Sequence, residues 1–192
     1  AGVFKGFYKD KRTGIGRFGG TGSDALQRIM GKITLPFPVF SNCACSVRVF
    51  TEDAERLCAR SDEVDIAYLD PPYNQHPYGS NYFMLNLLVN YRRPLKISPV
   101  SGIPVNWNRS LYNTAREALP ALKRLLETVK AKIILLSFNS EGFIQKTELY
   151  EILCRIGRVH VRETAYNTFR GSRNLKNRSA HVREYLFFLE KS

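Results

Sequence analysis

The sequence predicts an α/β fold whose sheet is mostly parallel with an antiparallel edge. From Ile33 onward, apolar segments alternate between the two-residue period of strands and the 3.6-residue period of helices. A buried strand, a long amphipathic helix and a second buried strand follow one another, as in a parallel βαβ unit. Two further strand-like segments, separated by a polar stretch, are expected to form the antiparallel edge.

Each element has its own pattern. Alternation or a short apolar run predicts strands at residues 46–50, 64–69, 132–138, 159–163 and 182–189. Apolar residues three or four positions apart predict helices at residues 53–59, 114–129 and 148–156. Gly157 supplies a stop signal for the last of these helices. The strands at 64–69 and 132–138 are predicted to be buried, because their apolar runs are continuous.

The composition indicates one domain with a basic surface. The chain has 192 residues, of which 44% are hydrophobic, and this is enough for one domain core. Lys and Arg number 29 against 17 Asp and Glu, so the formal net charge is +12 at pH 7. This balance favours a polyanionic partner such as nucleic acid, although a solvated positive face would give the same count.

Membrane proteins and metalloproteins are disfavoured. No apolar run approaches the ~20 residues of a membrane helix, and no signal-peptide pattern is present, so a cytoplasmic protein without a membrane partner is expected. The four cysteines lack CxxC spacing. Their spacing and mostly apolar surroundings favour reduced thiols in the core over zinc ligands or disulfides, and no metal is expected.

The motif with the clearest chemistry is Asp70-Pro71-Pro72-Tyr73, directly after the strand at 64–69. Two prolines donate no backbone hydrogen bonds and fix φ at about −65°, so they end the strand and leave the carbonyls of Asp70 and Pro71 as acceptors. Asp70 and the Pro71 carbonyl could hold an exocyclic NH₂ group while Tyr73 packs on its ring, which suits a base taken out of the duplex stack. The alternative is a plain strand-ending turn, but open α/β sheets bind ligands at the carboxyl ends of their strands.

The DPPY motif after such a strand resembles the catalytic motif of S-adenosylmethionine-dependent amino-methyltransferases, which methylate adenine N6 or cytosine N4 in DNA. The runs 68–83 and 136–142 are similar to the Dam-like class of adenine-N6 methyltransferases of restriction-modification systems. This resemblance implies a Rossmann-like methyltransferase sheet, S-adenosylmethionine as cofactor, double-stranded DNA as partner and direct methyl transfer to a flipped adenine. It also implies that Asp70, Pro71, Pro72 and Tyr73 carry the catalysis.

The Gly-rich cofactor turn of the family has no convincing counterpart here. Phe18-Gly19-Gly20-Thr21-Gly22 has the letters but follows no apolar strand, and such a motif needs a strand before it and a helix after it. In the Dam-like class, the Gly-rich turn comes first, a DNA-recognition insert follows and DPPY comes later. Residues 1–30 therefore resemble the tail of a DNA-recognition region, and residues 31–192 resemble a partial catalytic domain. The sheet is expected to be N-terminally incomplete, as in a fragment or a split subunit that an N-terminal segment or partner subunit complements.

The resemblance also assigns cofactor contacts. Asp53 and Ala54 resemble the acidic turn that contacts the adenine of S-adenosylmethionine, and Asp70 is expected to face the methionine amino group as well. Asp53 equally suits the N-cap of the helix that follows, and both functions are compatible.

Basic and polar loop residues are predicted to contact DNA. Residues 168–178 combine three arginines, a lysine and an aromatic ring between two strands, which suits phosphate contacts; a solvated basic loop is the alternative. Residues 74–82 have no regular period and are predicted to form an active-site loop. Residues 139–142 either border the target pocket or cap a helix. The predicted DNA contacts are Arg12, Arg17, Asn74, His76, Tyr78, Arg170, Arg173, Lys176 and Arg178.

Three functions are compatible with these residues. The leading one is the catalytic part of a DNA adenine-N6 methyltransferase. The second is a DNA-binding or assembly subunit that keeps the fold but cannot bind the cofactor. The third is an amino-methyltransferase that acts on cytosine N4, RNA or a protein amide. Cofactor binding separates the first from the second, and the identity of the methylated group separates the first from the third.

Overall fold

A computed structural model describes residues 7–9, 16–18, 34, 36–75, 77–92, 94–99, 103–167 and 181–191, with the backbone alone described at 7–9 and 16–18. The elements in chain order are β1 Phe7–Lys9, β2 Gly16–Phe18, α1 Ala54–Arg60, β3 Val64–Leu69, α2 Tyr78–Asn81, α3 Phe83–Asn90, a 3₁₀ turn Leu111–Asn113, α4 Ala115–Thr128, β4 Ala131–Asn139, α5 Lys146–Cys154, β5 Gly157–Asn167 and β6 His181–Lys191. They form two compact units, one of residues 1–50 and 78–108 and the other of residues 51–77 and 109–192. The predicted α/β class is confirmed.

Four strands of the second unit form one sheet in the order β3-β4-β6-β5. β3 and β4 are parallel, whereas β6 is antiparallel to both of its neighbours, β4 and β5. β3, β4 and β5 therefore run in one direction, and the antiparallel pair of β5 and β6 forms one edge region, as predicted. The reversed strand β6 lies inside the sheet because the chain turns back after β5 and inserts between β5 and β4.

One face of this sheet is covered by helices and holds the core. The fully or almost fully buried side chains of α4 and α5 include Ala118, Leu122, Leu125, Leu126, Leu149 and Leu153. They belong to one apolar cluster with Ile134, Leu136 and Phe138 of β4 and with Phe187 and Leu189 of β6. Burying one large aliphatic side chain is worth about 1.5–3 kcal/mol, so this layer dominates the stability of the unit.

The opposite face of the sheet is apolar but exposed in part. Ile66 and Tyr68 of β3 are 57% and 61% exposed, and Leu186 of β6 is also exposed. The prediction that β3 is a buried strand is therefore wrong, since only Ala67 and Leu69 of this strand pack against the core. A continuous apolar run shows that a strand forms but not that both of its faces are covered.

Two other secondary-structure predictions are corrected. Residues 46–50 form no strand, although Val47 and Val49 alternate with polar residues; both valines are exposed. Alternation favours a strand only where a neighbouring strand accepts its hydrogen bonds, and none of the described strands pairs with this segment. Within the predicted loop 74–82, Tyr78–Asn81 forms the short helix α2.

The prediction that the cysteines lie in the core is wrong for three of the four. Cys43, Cys45 and Cys154 are exposed, whereas Cys58 is half-buried and packs against the core cluster. All four are free thiols. Sequence neighbours of low polarity were a poor guide here, because residues 36–50 are exposed throughout, apolar side chains included.

The first unit is described more sparsely. β1 and β2 form an antiparallel pair with Phe7 opposite Phe18, and an isolated bridge joins Ile97 to Pro104. α3 ends at Tyr91, whose φ of 49° lies in the left-handed region. Within the described ranges of both units, no helix combines the length and the apolar character needed to cross a membrane.

Candidate active site

The DPPY turn lies at the carboxyl edge of the parallel pair of strands. Leu69, the last residue of β3, is paired with Leu136, three residues before the end of β4. The two strands therefore release their following loops at the same edge of the sheet. Pro71 is buried in the turn, whereas Asp70 is exposed. The turn thus anchors itself through a proline while the Asp70 carboxylate stays accessible to a ligand.

Tyr73 is held from the side of β4. The backbone N–H of Phe143 donates a 2.8 Å hydrogen bond to the carbonyl of Tyr73. The Tyr73 ring meets the ring of Phe138 edge-on, with centroids 6.0 Å apart and an interplanar angle of 65°. Phe138 is almost fully buried, so the surface that the Tyr73 ring packs against is fixed in position.

The residue after the motif is also anchored. The side-chain nitrogen Nδ2 of Asn113 donates a 2.8 Å hydrogen bond to the carbonyl of Asn74. Asn113 lies in the 3₁₀ turn directly before α4. Helix α4 is part of the core layer. The backbone of residues 73 and 74 is therefore held at both carbonyls, which restricts the position of the Tyr73 ring.

The turn after β4 closes on itself rather than capping a helix. Asn139 is 4% exposed, and its Oδ1 accepts a 3.0 Å hydrogen bond from the N–H of Glu141. Helix α5 begins later and has its own capping box, formed by Gln145 and Glu148. The helix-cap interpretation of residues 139–142 is therefore wrong. Their position bordering a target pocket stays a prediction.

Strand β6 brings in a carboxylate that the sequence analysis missed. Arg183 and Ser140 exchange two hydrogen bonds, from Ser140 N–H to the Arg183 carbonyl at 2.9 Å and from Arg183 N–H to Ser140 Oγ at 3.0 Å. The next residue, Glu184, is directly opposite Asn139. Burial raises the pKa of Glu184, the Asn139 hydrogen bond opposes this rise, and the charges of Asp70 and Glu141 add to it. The available signal was a carboxylate directly before the apolar run 185–189 of the strand.

Asp53 is the N-cap of α1. Its Oδ1 accepts a 3.1 Å hydrogen bond from the N–H of Arg56, which confirms the capping interpretation. Nearby, burial raises the pKa of Tyr112 to about 12, and the charges of Glu55 and Asp53 contribute. Asp53 and Ala54 are exposed at the start of the helix. The Asp53 carboxylate uses one oxygen to cap the helix. Its other oxygen is suited to accept hydrogen bonds from an amine or hydroxyl group, which fits the predicted cofactor contact. That contact stays a prediction.

The other predicted DNA contacts differ in how far the structure describes them. Tyr78 belongs to the other compact unit, where its ring lies 5.7 Å from that of Tyr82. Arg17 lies in β2, where the backbone alone is described. The predicted contacts outside the described residues are Arg12, His76, Arg170, Arg173, Lys176 and Arg178. Residues 19–22 of the Gly-rich run also lie outside them, so their function stays untested. Within the part of the chain that is described, no three His, Cys, Asp or Glu side chains are grouped to hold a metal ion.

The sheet and the position of its DPPY turn fit the class of Rossmann-like, S-adenosylmethionine-dependent methyltransferases. The DPPY turn follows the parallel strand β3 at the carboxyl edge of the sheet, where α/β sheets bind their ligands.

Comparison with known proteins finds similarity to one family of methyltransferases. Residues 38–95, which include the DPPY turn, match the family of D12 class N6 adenine-specific DNA methyltransferases. The chain is 31% identical over 145 residues to the Type II methyltransferase M.CviAII of Paramecium bursaria Chlorella virus 1, which is 75% of this chain and 42% of that protein. It is also 31% identical over 148 residues to the Type II methyltransferase M.NlaIII of Neisseria lactamica, covering 76% of this chain and 43% of that protein.

A longer match, with lower identity, is to the Type II methyltransferase M.FokI of Planomicrobium okeanokoites, at 29% over 168 residues, or 86% of this chain and 26% of that protein. No solved structure gave a significant match. The predicted resemblance to adenine-N6 methyltransferases of restriction-modification systems is confirmed. The chain spans less than half the length of each of these relatives.

Proposed function

We propose that this chain is the catalytic part of a DNA adenine-N6 methyltransferase, which methylates an adenine flipped out of duplex DNA. The observation that carries the proposal is the anchored DPPY turn at the carboxyl edge of the sheet, with Asp70 accessible and Tyr73 fixed by Phe143 and Phe138. The family match over residues 38–95 supports the same base and the same target nitrogen.

Different residues of the turn contact different parts of the target base. S-adenosylmethionine, when bound, supplies a methyl group activated by a sulfonium charge. The Asp70 carboxylate and the Pro71 carbonyl accept hydrogen bonds from the two amino hydrogens, which draws the nitrogen lone pair out of conjugation with the ring. Positioning then supplies much of the acceleration. Tyr73 stacks on the flipped base, in a contact of about 1–3 kcal/mol.

The cofactor contacts are proposed at two places in the same unit. At the start of α1, Asp53 would accept a hydrogen bond from the adenosine end of the cofactor and Ala54 would pack against it. Asp70 would also face the methionine amino group. All three residues are exposed. Retaining the N-cap bond to Arg56 does not prevent this use of Asp53, because a carboxylate has two oxygens and about four acceptor positions.

The DNA partner is supported by charge. The net charge of +12 favours phosphate contacts, which release counterions from the duplex. The proposed contacts remain those predicted from the sequence, with Asn74 next to the catalytic turn and the arginines of 170–178 in the sequence before β6. Binding should weaken steeply as salt concentration rises.

We also propose that further polypeptide of the same methyltransferase, in one chain or in a second subunit, complements this segment. The exposed apolar side chains Ile66, Tyr68 and Leu186 share the sheet face opposite to the core layer. Water-exposed apolar surface of this kind is typical of an interface. The matched relatives are more than twice as long as the region they share with this chain, so they contain material that could cover it.

The test is methyl transfer from labelled S-adenosylmethionine to duplex DNA, with the protein at its natural full length and the product bases separated by mass spectrometry. We expect N6-methyladenine, and we expect Asp70→Ala to lower turnover by about 100-fold or more. Asp65→Ala is the matched control, since Asp65 lies on β3, the strand that Asp70 follows, and makes an exposed ion pair with Lys132 at 2.7 Å. It should retain wild-type turnover.

Three results would contradict the proposal in different ways. Turnover retained by Asp70→Ala would overturn the assignment of Asp70. N4-methylcytosine as the product would favour the alternative amino-methyltransferase. DNA binding without binding of S-adenosylmethionine would favour the assembly subunit, which keeps the fold but performs no transfer.

A further inference from the structure

Glu184 reaches the candidate site from the far end of the chain. It occupies the last pair of the β4–β6 ladder, directly opposite Asn139. Side chains alternate between the two faces of a strand, so Glu184 and Asn139 project from the same face as Tyr68, Leu135 and Leu186. An extended continuation of β3 places Asp70 on that face too. The three polar groups therefore lie at one edge and on one side of the sheet.

The backbone around Glu184 is fixed to the same turn that fixes Tyr73. Arg183 and Ser140 are joined by two hydrogen bonds of 2.9 and 3.0 Å. The turn that begins with Asn139 and Ser140 ends at Phe143, which holds the carbonyl of Tyr73. A side chain at position 184 is thus rigidly placed relative to the DPPY turn.

The side-chain contacts give Asn139 a defined orientation. Its Oδ1 accepts from the N–H of Glu141, so its Nδ2 is the donor that remains for the carboxyl group of Glu184. Asn139 is almost fully buried, and a buried amide with both ends satisfied is locked in place. Glu184 is half-buried, and in the described part of the unit it neither caps a helix nor belongs to the apolar core cluster.

We propose that Glu184 is a positioning residue for the methyl transfer, acting in its ionised form by holding the Asn139 amide and by placing a second negative charge behind Asp70. This inference rests on the proposed function. The transfer breaks the sulfur–methyl bond and forms the nitrogen–methyl bond, so positive charge moves from sulfur to the amino nitrogen, which then loses a proton to solvent. Negative charge fixed beside that nitrogen stabilises the charge that develops there.

The charged surroundings set the pH dependence. Among the described residues, the charged groups that face Glu184 are Asp70 after β3 and Glu141 after β4. Arg162 lies on the same face of β5, two residues before Thr164, which is the β5 partner of Glu184. Burial and the two carboxylates keep the pKa of Glu184 above its ordinary value, against the Asn139 hydrogen bond. Turnover should therefore fall as pH drops through this raised pKa, because protonation removes the required charge.

The experiment compares Glu184→Gln, Glu184→Asp and Glu190→Gln in the full-length protein. Gln keeps an oxygen that accepts from Asn139 but has no charge, and Asp keeps the charge on a shorter side chain. Glu190 is the matched control because it lies on the same face of β6 and pairs with the exposed Arg158. The readouts are kcat, the KM values for DNA and for S-adenosylmethionine, the pH profile of kcat and the thermal unfolding midpoint.

We expect Glu184→Gln to lower kcat by about 10- to 100-fold while both KM values and the unfolding midpoint stay close to those of the wild type. Its profile should lose the acidic limb, which Glu184→Asp should retain together with part of the activity. Glu190→Gln should match the wild type.

The inference is overturned if Glu184→Gln keeps the kcat and pH profile of the wild type, or if Glu184→Asp is as inactive as Glu184→Gln with the fold intact. In both cases the wild type still methylates adenine, and the proposed function stands. A wild-type protein that produces no methylated adenine overturns the proposed function first, and this inference with it.

Discussion

The N–H of Phe143 donates a 2.8 Å hydrogen bond to the carbonyl of Tyr73, which joins the turn after β3 to the turn after β4. The two turns come from distant parts of the chain and meet because β3 and β4 are parallel neighbours. The Tyr73 ring, held edge-on against Phe138, is therefore pre-organised before any ligand arrives.

The first prediction concerns that ring. Tyr73→Phe keeps an aromatic ring on the anchored backbone and should retain most of the methyl transfer. Tyr73→Ala removes the stacking surface, so we expect the KM for DNA to rise and kcat to fall, with a combined loss of about 1–3 kcal/mol in transition-state stabilisation. Steady-state kinetics on duplex DNA would measure both values. Equal activity of the two variants would show that stacking at position 73 is not used.

The second prediction concerns Gly142. A Cβ at this position would clash with Cε1 of Phe138, whose ring is almost fully buried and has no room to move away. Gly142→Ala should therefore lower the free energy of unfolding by about 1–3 kcal/mol, as overpacking does. Urea denaturation would measure this. In a Phe138→Leu background the same substitution should cost clearly less, and an unchanged cost would show that the ring is not the obstacle.

The third prediction separates two functions of Asp53. Asp53→Asn retains a side-chain oxygen for the N–H of Arg56 and should keep the stability of α1, whereas Asp53→Ala should lose about 0.5–2 kcal/mol. If the carboxylate also contacts the cofactor, both variants should bind S-adenosylmethionine more weakly than the wild type. Calorimetry of cofactor binding and chemical denaturation would measure the two effects. Unchanged cofactor affinity in both variants would leave Asp53 as a cap only.

The fourth prediction concerns Tyr112, whose pKa is raised to about 12, chiefly by burial and also by Glu55. Its ordinary pKa is about 10, so the folded state favours the neutral phenol. The resulting stabilisation is complete below pH 10 and is lost as pH rises from about 10 to about 12.

Tyr112→Phe cannot ionise and should lack this pH-dependent contribution. The measurement is the free energy of unfolding of both proteins across the alkaline range, with phenolate absorbance recorded in parallel. Parallel curves for the two proteins above pH 10 would contradict the prediction.

The sequence predicted most of the second unit because its signals are local. Helix α1, helix α4 and strand β3 begin and end within two residues of their predicted bounds. Their periodicity reflects one covered face, which is a property of the segment itself. The DPPY turn was located by the same means, since prolines end a strand wherever they occur.

The errors arose where structure depends on distant partners. The exposure of Ile66 and Tyr68 follows from which layers cover the sheet, and the residues of β3 carry no record of that. Glu184 was not predicted as a site residue for a related reason. Its proximity to Asn139 depends on the register between β4 and β6, which are separated by α5 and β5, and no local pattern specifies that register.

The position of β6 between β4 and β5 has a consequence for biosynthesis. A ribosome makes β3, α4, β4, α5 and β5 before β6, yet β4 and β5 have no direct pairing and meet only through that later strand. Until β6 emerges, the inner edge of β4 presents unsatisfied backbone groups beside the large apolar side chains of Leu136 and Phe138. Such an edge is a template for association between chains. We therefore expect chaperones to bind most strongly to nascent chains that are stalled before His181.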